Sequence, residues 1–187
     1  MATQKSSEKW KSKVWFNVYP PKLLGESAIG EIPANDEKAI MDRRIKVSMS
    51  WITHRPEHSF MLVGLRVNNV SGNSVNTDLD YIEQTFSYIH SLVRRHSSAI
   101  YTVDKLKDKN GRGFVLKLIA VTASKIRTPK KTAIRKEIGK FTNEFSAAHT
   151  FDELLNAMLD GSFQSEIIRR TLNIARVSKL ELKRIEV

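Results

Sequence analysis

The chain contains no cysteine. This absence excludes disulfide bonds, thiolate metal ligands and cysteine nucleophiles, and it argues against a small secreted scaffold. Long hydrophobic runs are missing as well: the longest uncharged apolar stretch covers residues 118–123, whereas a membrane-spanning helix needs about 20 residues. Residues 1–16 hold no apolar run that could act as a signal peptide. From these absences we expect a soluble, intracellular protein.

Glycine and proline are scarce, with eight and five copies among 187 residues. Together with a hydrophobic fraction of 41%, this scarcity excludes a collagen-like or largely disordered chain. A chain of this length can bury roughly two thirds of its unfolded surface, which is enough for a core. Residues 1–12 are rich in Ser, Lys and Gln and predict a flexible basic N-terminal arm. We therefore expect a single domain over residues 13–187.

Acidic residues are nearly absent from one part of the chain. Between Leu92 and Lys140 there are 14 lysines and arginines but only three acids, Asp104, Asp108 and Glu137. The rest of the chain has 17 basic and 17 acidic residues, so this 49-residue stretch carries the whole net charge of +11. Charge of this density repels itself in a folded protein unless a polyanion screens it. Nucleic acid is the first candidate for that polyanion, and an anionic membrane surface is the second.

The apolar spacing predicts a mixture of strands and helices. Apolar alternation and β-branched runs predict strands over residues 45–53, 58–70, 75–83, 99–106, 112–123 and 177–187. Helical spacing and capping residues predict helices over residues 85–95, from Thr128–Pro129 onward, over 150–161 and from Ser162 onward. We expect an α+β fold with a curled, barrel-like, mostly antiparallel sheet of about seven strands and about four packed helices.

Three local signals are specific enough to be tested individually. Asn110-Gly111 predicts a tight hairpin turn, because glycine supplies the positive φ that such turns need. Thr150 and Glu153 form the sequence signature of a capping box at a helix start. In the last strand the apolar phase slips between residues 182 and 185, which predicts a β-bulge.

The aromatic residues predict a core more clearly than a base-stacking surface. No pair of aromatics resembles the stacking platform of an RNA-recognition sheet. Tyr101 and Trp10 are expected to be exposed. The four aromatics that fall in predicted strands are expected to be buried: Trp15, Trp51, Phe60 and Phe114.

The segment Ser124–Lys140 holds the densest charge, with seven bases and one acid. Lys130 and Lys131 fall in the first turn of the predicted helix, where the helix dipole disfavours cations. Phosphates would relieve this conflict, because the free N–H groups of a helix start bind anions. A solvated helix face is the alternative interpretation. We predict that the bases of this segment contact phosphates: Lys125, Arg127, Lys130, Lys131, Arg135, Lys136 and Lys140.

Two smaller groups of cations complete the candidate site. Arg94 and Arg95 follow a predicted helix, whose C-terminal end favours cations in any case, so a structural role and a phosphate contact are equally open. A second group surrounds the predicted hairpin tip, which could probe an RNA groove, and consists of Lys105, Lys107, Lys109 and Arg112.

Enzymatic chemistry finds little support in the sequence. Asp78, Asp80 and Glu83 could hold a divalent metal, as in a nuclease, but strand alternation places Glu83 on the face opposite to the two aspartates. His54 and His58 are four residues apart, yet the proline between them breaks the helix that a zinc-binding pair needs. We therefore predict no catalytic residue, no metal site and no cofactor.

Three collinear blocks of the sequence resemble one known family. They are KWKSKVWFNVYPPKLLGESAIGEIPAND, YIHSLVRRHSSAIYTVDKLKDKNGRGFVLKLIAVTASKIRTPKKTAIRKEI and TFDELLNAMLDGSFQSEIIRRTLNIARVSKLELKRIEV. Together they cover most of the chain, and their order is that of the S-three-A-e family, also written e-S-one, of small-subunit ribosomal proteins. The shortness of the chain resembles the archaeal branch more than the longer eukaryotic members.

The resemblance implies a non-catalytic protein of the ribosomal small-subunit platform, near the messenger exit and the 3′ end of the small-subunit rRNA. It implies a cytoplasmic, ribosomal location and a β-barrel-like core with packed helices. The implied partners are rRNA, neighbouring small-subunit proteins and messenger RNA near the exit, with no membrane and no small-molecule substrate. Two alternatives remain from the residues themselves: an extra-ribosomal RNA-binding or chaperone module, and a metal-dependent nuclease.

Overall fold

The computed structural model describes residues 13–25 and 27–187. The chain divides into two compact units, Met1–Tyr81 and Ile82–Val187. The predicted flexible arm over residues 1–12 and the predicted exposure of Trp10 lie outside the described residues. The prediction of a single domain over residues 13–187 stays a prediction.

The first unit is built from four strands and the first part of a fifth. These strands are β1 (Val14–Tyr19), β2 (Gly30–Ala34), β3 (Arg44–Ser48), β4 (Met61–Ser71) and β5 (Ser74–Gln84). β1 pairs antiparallel with β2 and parallel with β5, while β4 pairs with both β3 and β5. One cluster of the core joins these strands to the segment before β3 and consists of Phe16, Ala34, Ile40, Val67 and Val75.

The prediction of a strand over residues 45–53 is wrong for residues 49–53. β3 ends at Ser48, and a short helix α1 (Met49–Thr53) follows. The change from a two-residue to a helical period turns Met49 into the core and leaves Trp51 69% exposed. The helix ends at His54, which has a left-handed backbone with φ of 55°, and Pro56 holds the preceding residue extended.

Three of the four aromatics expected in the core lie at the surface instead. Trp15 is 54% exposed, Phe60 is 51% exposed and Trp51, as noted above, is 69% exposed. Phe114 alone of the four is buried. Phe60 closes a 3-10 helix, Pro56–Phe60, that precedes β4, so it never enters the alternation of the strand. Phe114 is buried because its ring packs against the Phe151 ring, with the two centroids 5.5 Å apart.

The second unit contains β6 (Ala99–Lys107), β7 (Gly113–Thr122) and β8 (Val177–Glu186). β7 pairs antiparallel with β6, which confirms the predicted hairpin, and it also pairs antiparallel with β8 on its other side. The register of β7 and β8 shifts where Leu182 and Arg184 face successive residues of β7, so Lys183 is the extra residue of the predicted bulge. The last residues of β5 lie beside β8, where the Gln84 side-chain amide donates to the Glu181 carboxylate over 3.0 Å.

Four helices belong to the second unit: α2 (Phe86–Leu92), α3 (Thr128–Ala148), α4 (Phe151–Leu159) and α5 (Ser162–Thr171). The helical period of the sequence places Ile134, Ile138 and Phe141 on one face of α3, and all three are buried. The helices pack on the sheet and on each other through aromatic contacts. The ring centroids of Phe114 and Phe151 are 5.5 Å apart, and those of Phe141 and Phe163 are 5.3 Å apart.

Helix starts were predicted with mixed success. The capping box of α4 is confirmed, since the Thr150 hydroxyl accepts from the Glu153 N–H and the Glu153 carboxylate accepts from the Thr150 N–H. Thr128 is the first residue of α3 and not its cap, because Arg127 occupies the extended cap position. α2 ends at Leu92 instead of reaching residue 95, and its first residue, Phe86, is 76% exposed.

The predicted α+β class is confirmed, with eight strands and five α-helices among residues 13–25 and 27–187. The parallel pairing of β1 and β5 makes the sheet mixed. In the described part of the chain β2, β3 and β6 each pair with a single strand, so the pairings end on edge strands and form no closed barrel. No described helix is long and apolar enough to span a membrane.

Candidate nucleic-acid interface

Helix α3 lies along the edge strand β6 and carries the central part of the cationic segment. The Arg135 guanidinium donates to the Tyr101 carbonyl over 3.2 Å, and the Thr142 hydroxyl donates to the Asp104 carboxylate over 3.3 Å. Further along, the Ser146 hydroxyl donates to the carbonyl at position 107. Residues 135, 142 and 146 of the helix thus contact residues 101, 104 and 107 of the strand in the same order, so the helix and the strand run in the same direction. A helix of 21 residues and a strand of nine both span about 30 Å.

The start of α3 lies beside the turn that contains Arg94 and Arg95. The Ser98 hydroxyl accepts from the Ile126 N–H over 3.2 Å, and the Thr122 hydroxyl accepts from the Ser98 N–H over 3.0 Å. These two bonds join the turn of residues 94–98 to the loop of residues 123–127. The structure thereby brings six of the predicted site residues to one end of β6, which we call the loop end: Arg94, Arg95, Lys125, Arg127, Lys130 and Lys131.

The hairpin tip at the other end of β6 is tied down by Asp108. One oxygen of its carboxylate accepts from the N–H groups of Asn110 and Arg112 over 2.9 and 2.7 Å, and the other accepts from the Phe151 N–H over 3.3 Å. The Lys109 N–H also donates to the carbonyl of residue 149. The tip is therefore anchored to the junction of α3 and α4, which fixes the positions of its cations; the groove-probe role stays a prediction.

The predicted site residues are exposed and are not neutralised by neighbouring acids. Of the thirteen, all are exposed except Lys131, which is half-buried. None of them forms an ion pair within residues 13–25 and 27–187. The remaining base of the stretch, Lys117, does have a partner, because its Nζ lies 2.7 Å from the Glu186 carboxylate. We call the thirteen residues the basic surface.

Two of the three acids within the same stretch, Asp104 and Asp108, serve the fold. Asp108 is buried and holds the hairpin tip. Asp104 accepts from Thr142, and burial raises the pKa of its carboxyl, an effect that the Thr142 hydrogen bond partly opposes. Both side chains point toward protein donors, so they leave the charge of the basic surface available to a ligand.

Three arginines of the second unit, by contrast, form ion pairs with carboxylates. Arg169 and Arg170 lie 3.0 and 3.2 Å from the Glu166 carboxylate, and Arg170 also lies 3.0 Å from Glu144. Arg184 lies between Glu83 and Glu186, at 3.2 and 2.8 Å. These arginines have carboxylate partners within the protein, whereas the thirteen cations of the basic surface have none among the described residues.

Sequence reasoning missed two lysines of β8. Lys179 faces Val121 across the β7–β8 pair, close to the loop end. Lys183, in the bulge, places its Nζ 4.9 Å from the centre of the Tyr101 ring, and Tyr101 is exposed as predicted. A charge count over a window ending at residue 140 contains no signal for either lysine, whereas strand pairing between β7 and β8 would have found them.

The carboxylates considered for a nuclease site have separate partners. Asp78 accepts from the Asn68 amide over 2.8 Å, Asp80 lies 3.1 Å from Arg44, and Glu83 binds Arg184. Among residues 13–25 and 27–187 no three His, Asp or Glu side chains are grouped in a way that could hold a metal ion. The geometry gives the nuclease alternative no support.

Comparison with known proteins agrees with the resemblance described above. A model of the ribosomal S3Ae family matches residues 1–187. The "Small ribosomal subunit protein eS1" of Methanococcus vannielii is 30% identical over 182 residues, covering 97% of this chain and 83% of that protein. The protein of the same name from Pyrobaculum neutrophilum is 31% identical over 178 residues, covering 95% of this chain and 80% of that protein. On the family match over its whole length, the chain belongs to the ribosomal S3Ae family.

Proposed function

We propose that this protein is a structural constituent of the small ribosomal subunit that binds rRNA through the basic surface. Its place in the subunit is the platform near the messenger exit, where its partners are rRNA, neighbouring small-subunit proteins and messenger RNA. The role is non-catalytic and requires no cofactor. Family membership supports the ribosomal setting, and relatives of the same family carry the name of a small-subunit protein.

One observation carries the RNA-binding part of the proposal: thirteen cations from one stretch of the chain are without an ion-pair partner among the described residues. A fold that keeps this many like charges together is destabilised by their mutual repulsion. Phosphates remove the repulsion and release condensed counterions, which makes binding favourable and salt-dependent. Since the cations lie on α3 and at both ends of β6, they can follow a phosphate backbone over about 30 Å.

The mode of contact follows from the kinds of side chain involved. Lysines act as point charges toward phosphates, while arginines can donate two parallel hydrogen bonds. The described residues of the basic surface include no aromatic platform with paired rings. Recognition is therefore proposed to depend on the shape and charge of folded RNA more than on base identity.

The test replaces four cations of α3 in the purified protein: Lys130, Lys131, Arg135 and Lys136 to alanine. Affinity for a structured rRNA fragment is measured by filter binding at several salt concentrations. Each neutralised phosphate contributes a slope of about 0.7–0.9 in log affinity against log salt. We expect the variant to lower the slope by about three.

A matched control removes the same charge from the first unit. It carries alanine at four exposed positions, Lys22, Lys38, Arg43 and Arg66, and we expect its salt slope to change by less than about one. Equal changes in the two variants would show that net charge alone matters and would overturn the role of the basic surface. Absence of any salt-dependent binding by the unaltered protein would overturn the proposed function.

A further inference from the structure

A cavity of about 560 Å³ opens in the second unit at the loop end of the basic surface. Its walls come from the end of α2, the turn after it, the end of β7 and the start of β8. Cavities of about 300–1,000 Å³ are the size in which proteins bind small molecules. The volume is therefore suited to a ligand larger than a single phosphate.

The rim of the cavity is cationic. Arg94 and Arg95 line it from the turn, and Lys179 lines it from β8. All three are exposed, and none has an ion-pair partner within the described residues. The three cations come from two segments that are far apart in the sequence, and together they can bind an anion. Lys179 lies outside the basic stretch of residues 92–140, so the charge of that stretch does not account for this group.

The carboxylate nearest in sequence to Lys179 is engaged elsewhere. Glu181 accepts from the Gln84 amide over 3.0 Å and from the Tyr88 hydroxyl over 3.1 Å. Burial, and then the Glu181 charge, raise the pKa of Tyr88 to about 12, so its phenol remains a hydrogen-bond donor at neutral pH. Neutral donors thus satisfy this acid, and the rim cations are left for an external anion.

The frame of the cavity is held in place by its hydroxyl groups. The Ser97 hydroxyl donates to the Arg94 carbonyl over 2.6 Å and accepts from the Arg94 N–H over 3.2 Å. The Ser178 hydroxyl donates to the Val121 carbonyl over 2.8 Å. These bonds fix the turn and the strand ends before a ligand arrives, which reduces the entropy lost on binding.

The apolar part of the cavity lining comes from Leu92, Val121 and Ala123, of which Ala123 is exposed and the other two are largely buried. We call this part the apolar wall. An apolar wall beside a cationic rim matches a nucleotide, which has a flat base at one end and a phosphate at the other. Lys125 and Arg127 follow in the adjoining loop and can contact the next phosphates of the same strand. RNA-binding proteins commonly read bases that have left the helical stack.

We infer that this cavity binds a single unstacked nucleotide of an RNA strand. The base packs on the apolar wall, and its phosphate lies between the two arginines and Lys179. The inference rests on the proposed function and adds to it a position at which unpaired RNA is preferred to paired RNA. It also assigns an RNA contact to Lys179, which lies outside the basic surface.

The test compares two RNA hairpins that differ only in one bulged adenosine within the stem. Fluorescence anisotropy gives the affinity of the full chain for each hairpin at the same salt concentration. We expect the bulged hairpin to bind roughly tenfold tighter, because packing one face of the base on the apolar wall removes apolar surface from water. A first variant carries alanine at Arg94, Arg95 and Lys179 and should lose this preference. A second, Ala123→Phe, fills the cavity without changing the charge and should lose it too.

The matched control removes three charges away from the cavity, with alanine at Lys130, Lys136 and Lys140. It should bind both hairpins more weakly by the same factor and keep the preference. Circular dichroism verifies that all variants fold. Equal binding of both hairpins by the unaltered chain, or a preference that survives Ala123→Phe, would overturn the inference while the proposed function stands. Failure to bind either hairpin would overturn both.

Discussion

At the scale of single residues, Asp108 shows that a charged side chain inside a cationic stretch can serve the fold. Its carboxylate is buried and accepts three backbone N–H groups, two from its own turn and one from the start of α4. An aspartate beside lysines in the sequence predicts dilution of their charge. The structure instead uses it to close a turn and to hold that turn against a helix.

Replacing Asp108 with alanine should destabilise the protein by about 3 kcal/mol, because one buried and two part-buried N–H groups lose a charged acceptor. Urea unfolding followed by circular dichroism measures the change. Asp152→Ala is the control, since Asp152 is exposed in the first turn of α4 and should contribute less than about 1 kcal/mol. Similar losses in the two variants would contradict the anchoring role of Asp108.

Aromatic residues show where prediction from spacing fails at this scale. Trp15 and Trp51 occupy apolar positions of predicted strands, yet both are exposed. Trp51 is exposed because a helix interrupts the strand alternation. An aromatic residue at an apolar position of a strand pattern can be buried, as Phe114 is, or exposed, as Trp15 is. The pattern is the same in both cases, and only the packing around the ring determines which occurs.

At the scale of elements, α3 is the helix on which the proposed interface depends. Its apolar stripe was predictable, because Ile134, Ile138 and Phe141 follow the helical period and are buried. Its cations then occupy the remaining face by necessity. A glycine in the middle of the helix, Gly139, is unusual because it weakens the helix without supplying a special conformation.

Gly139→Ala should stabilise the protein by about 0.5–1 kcal/mol, the difference in helix propensity between the two residues. The nearest atom to the added Cβ would be an Asp104 carboxylate oxygen at 3.7 Å, which is ordinary van der Waals contact. Thermal unfolding measures the gain. The control, Gly111→Ala, places alanine at φ of +83° in the hairpin turn and should cost about 1 kcal/mol or more. A loss of stability in Gly139→Ala would contradict this view of the helix.

At the scale of the whole molecule, the distribution of charge is the same for a ribosomal protein and for a free RNA-binding module, so another property has to separate the two. Both would bind RNA through exposed cations, and both fit the salt dependence described above. They differ in whether the protein stays in the subunit, where contacts to rRNA and to other proteins act together.

The full chain, tagged and expressed in the cells that encode it, should sediment with the small subunit in a sucrose gradient after a moderate salt wash. The variant with alanine at Lys130, Lys131, Arg135 and Lys136 should be released to the top of the gradient, because it lacks four of the cations proposed to contact phosphates. Recovery of the unaltered protein at the top would contradict a structural role in the subunit and favour the free module.

Much of the second unit could be predicted, because its signals are local. The hairpin at Asn110-Gly111, the capping box at Thr150 and the bulge at Lys183 each depend on a few neighbouring residues. The first unit was predicted less well. Its parallel pairing of β1 with β5 joins segments that are far apart in sequence, and nothing in either segment specifies the partner.

The sequence by itself determined the composition of the basic stretch, the α+β class and the family, because these depend on which residues are present and on their order. Only the tertiary structure decided that Lys117 is neutralised while its thirteen neighbours are not. Only the structure brings Lys179 to Arg94 and Arg95 around one cavity. The physical reason is that ion pairing and cavity formation depend on distances of a few ångströms between atoms, and chain folding sets those distances between residues that are remote in sequence.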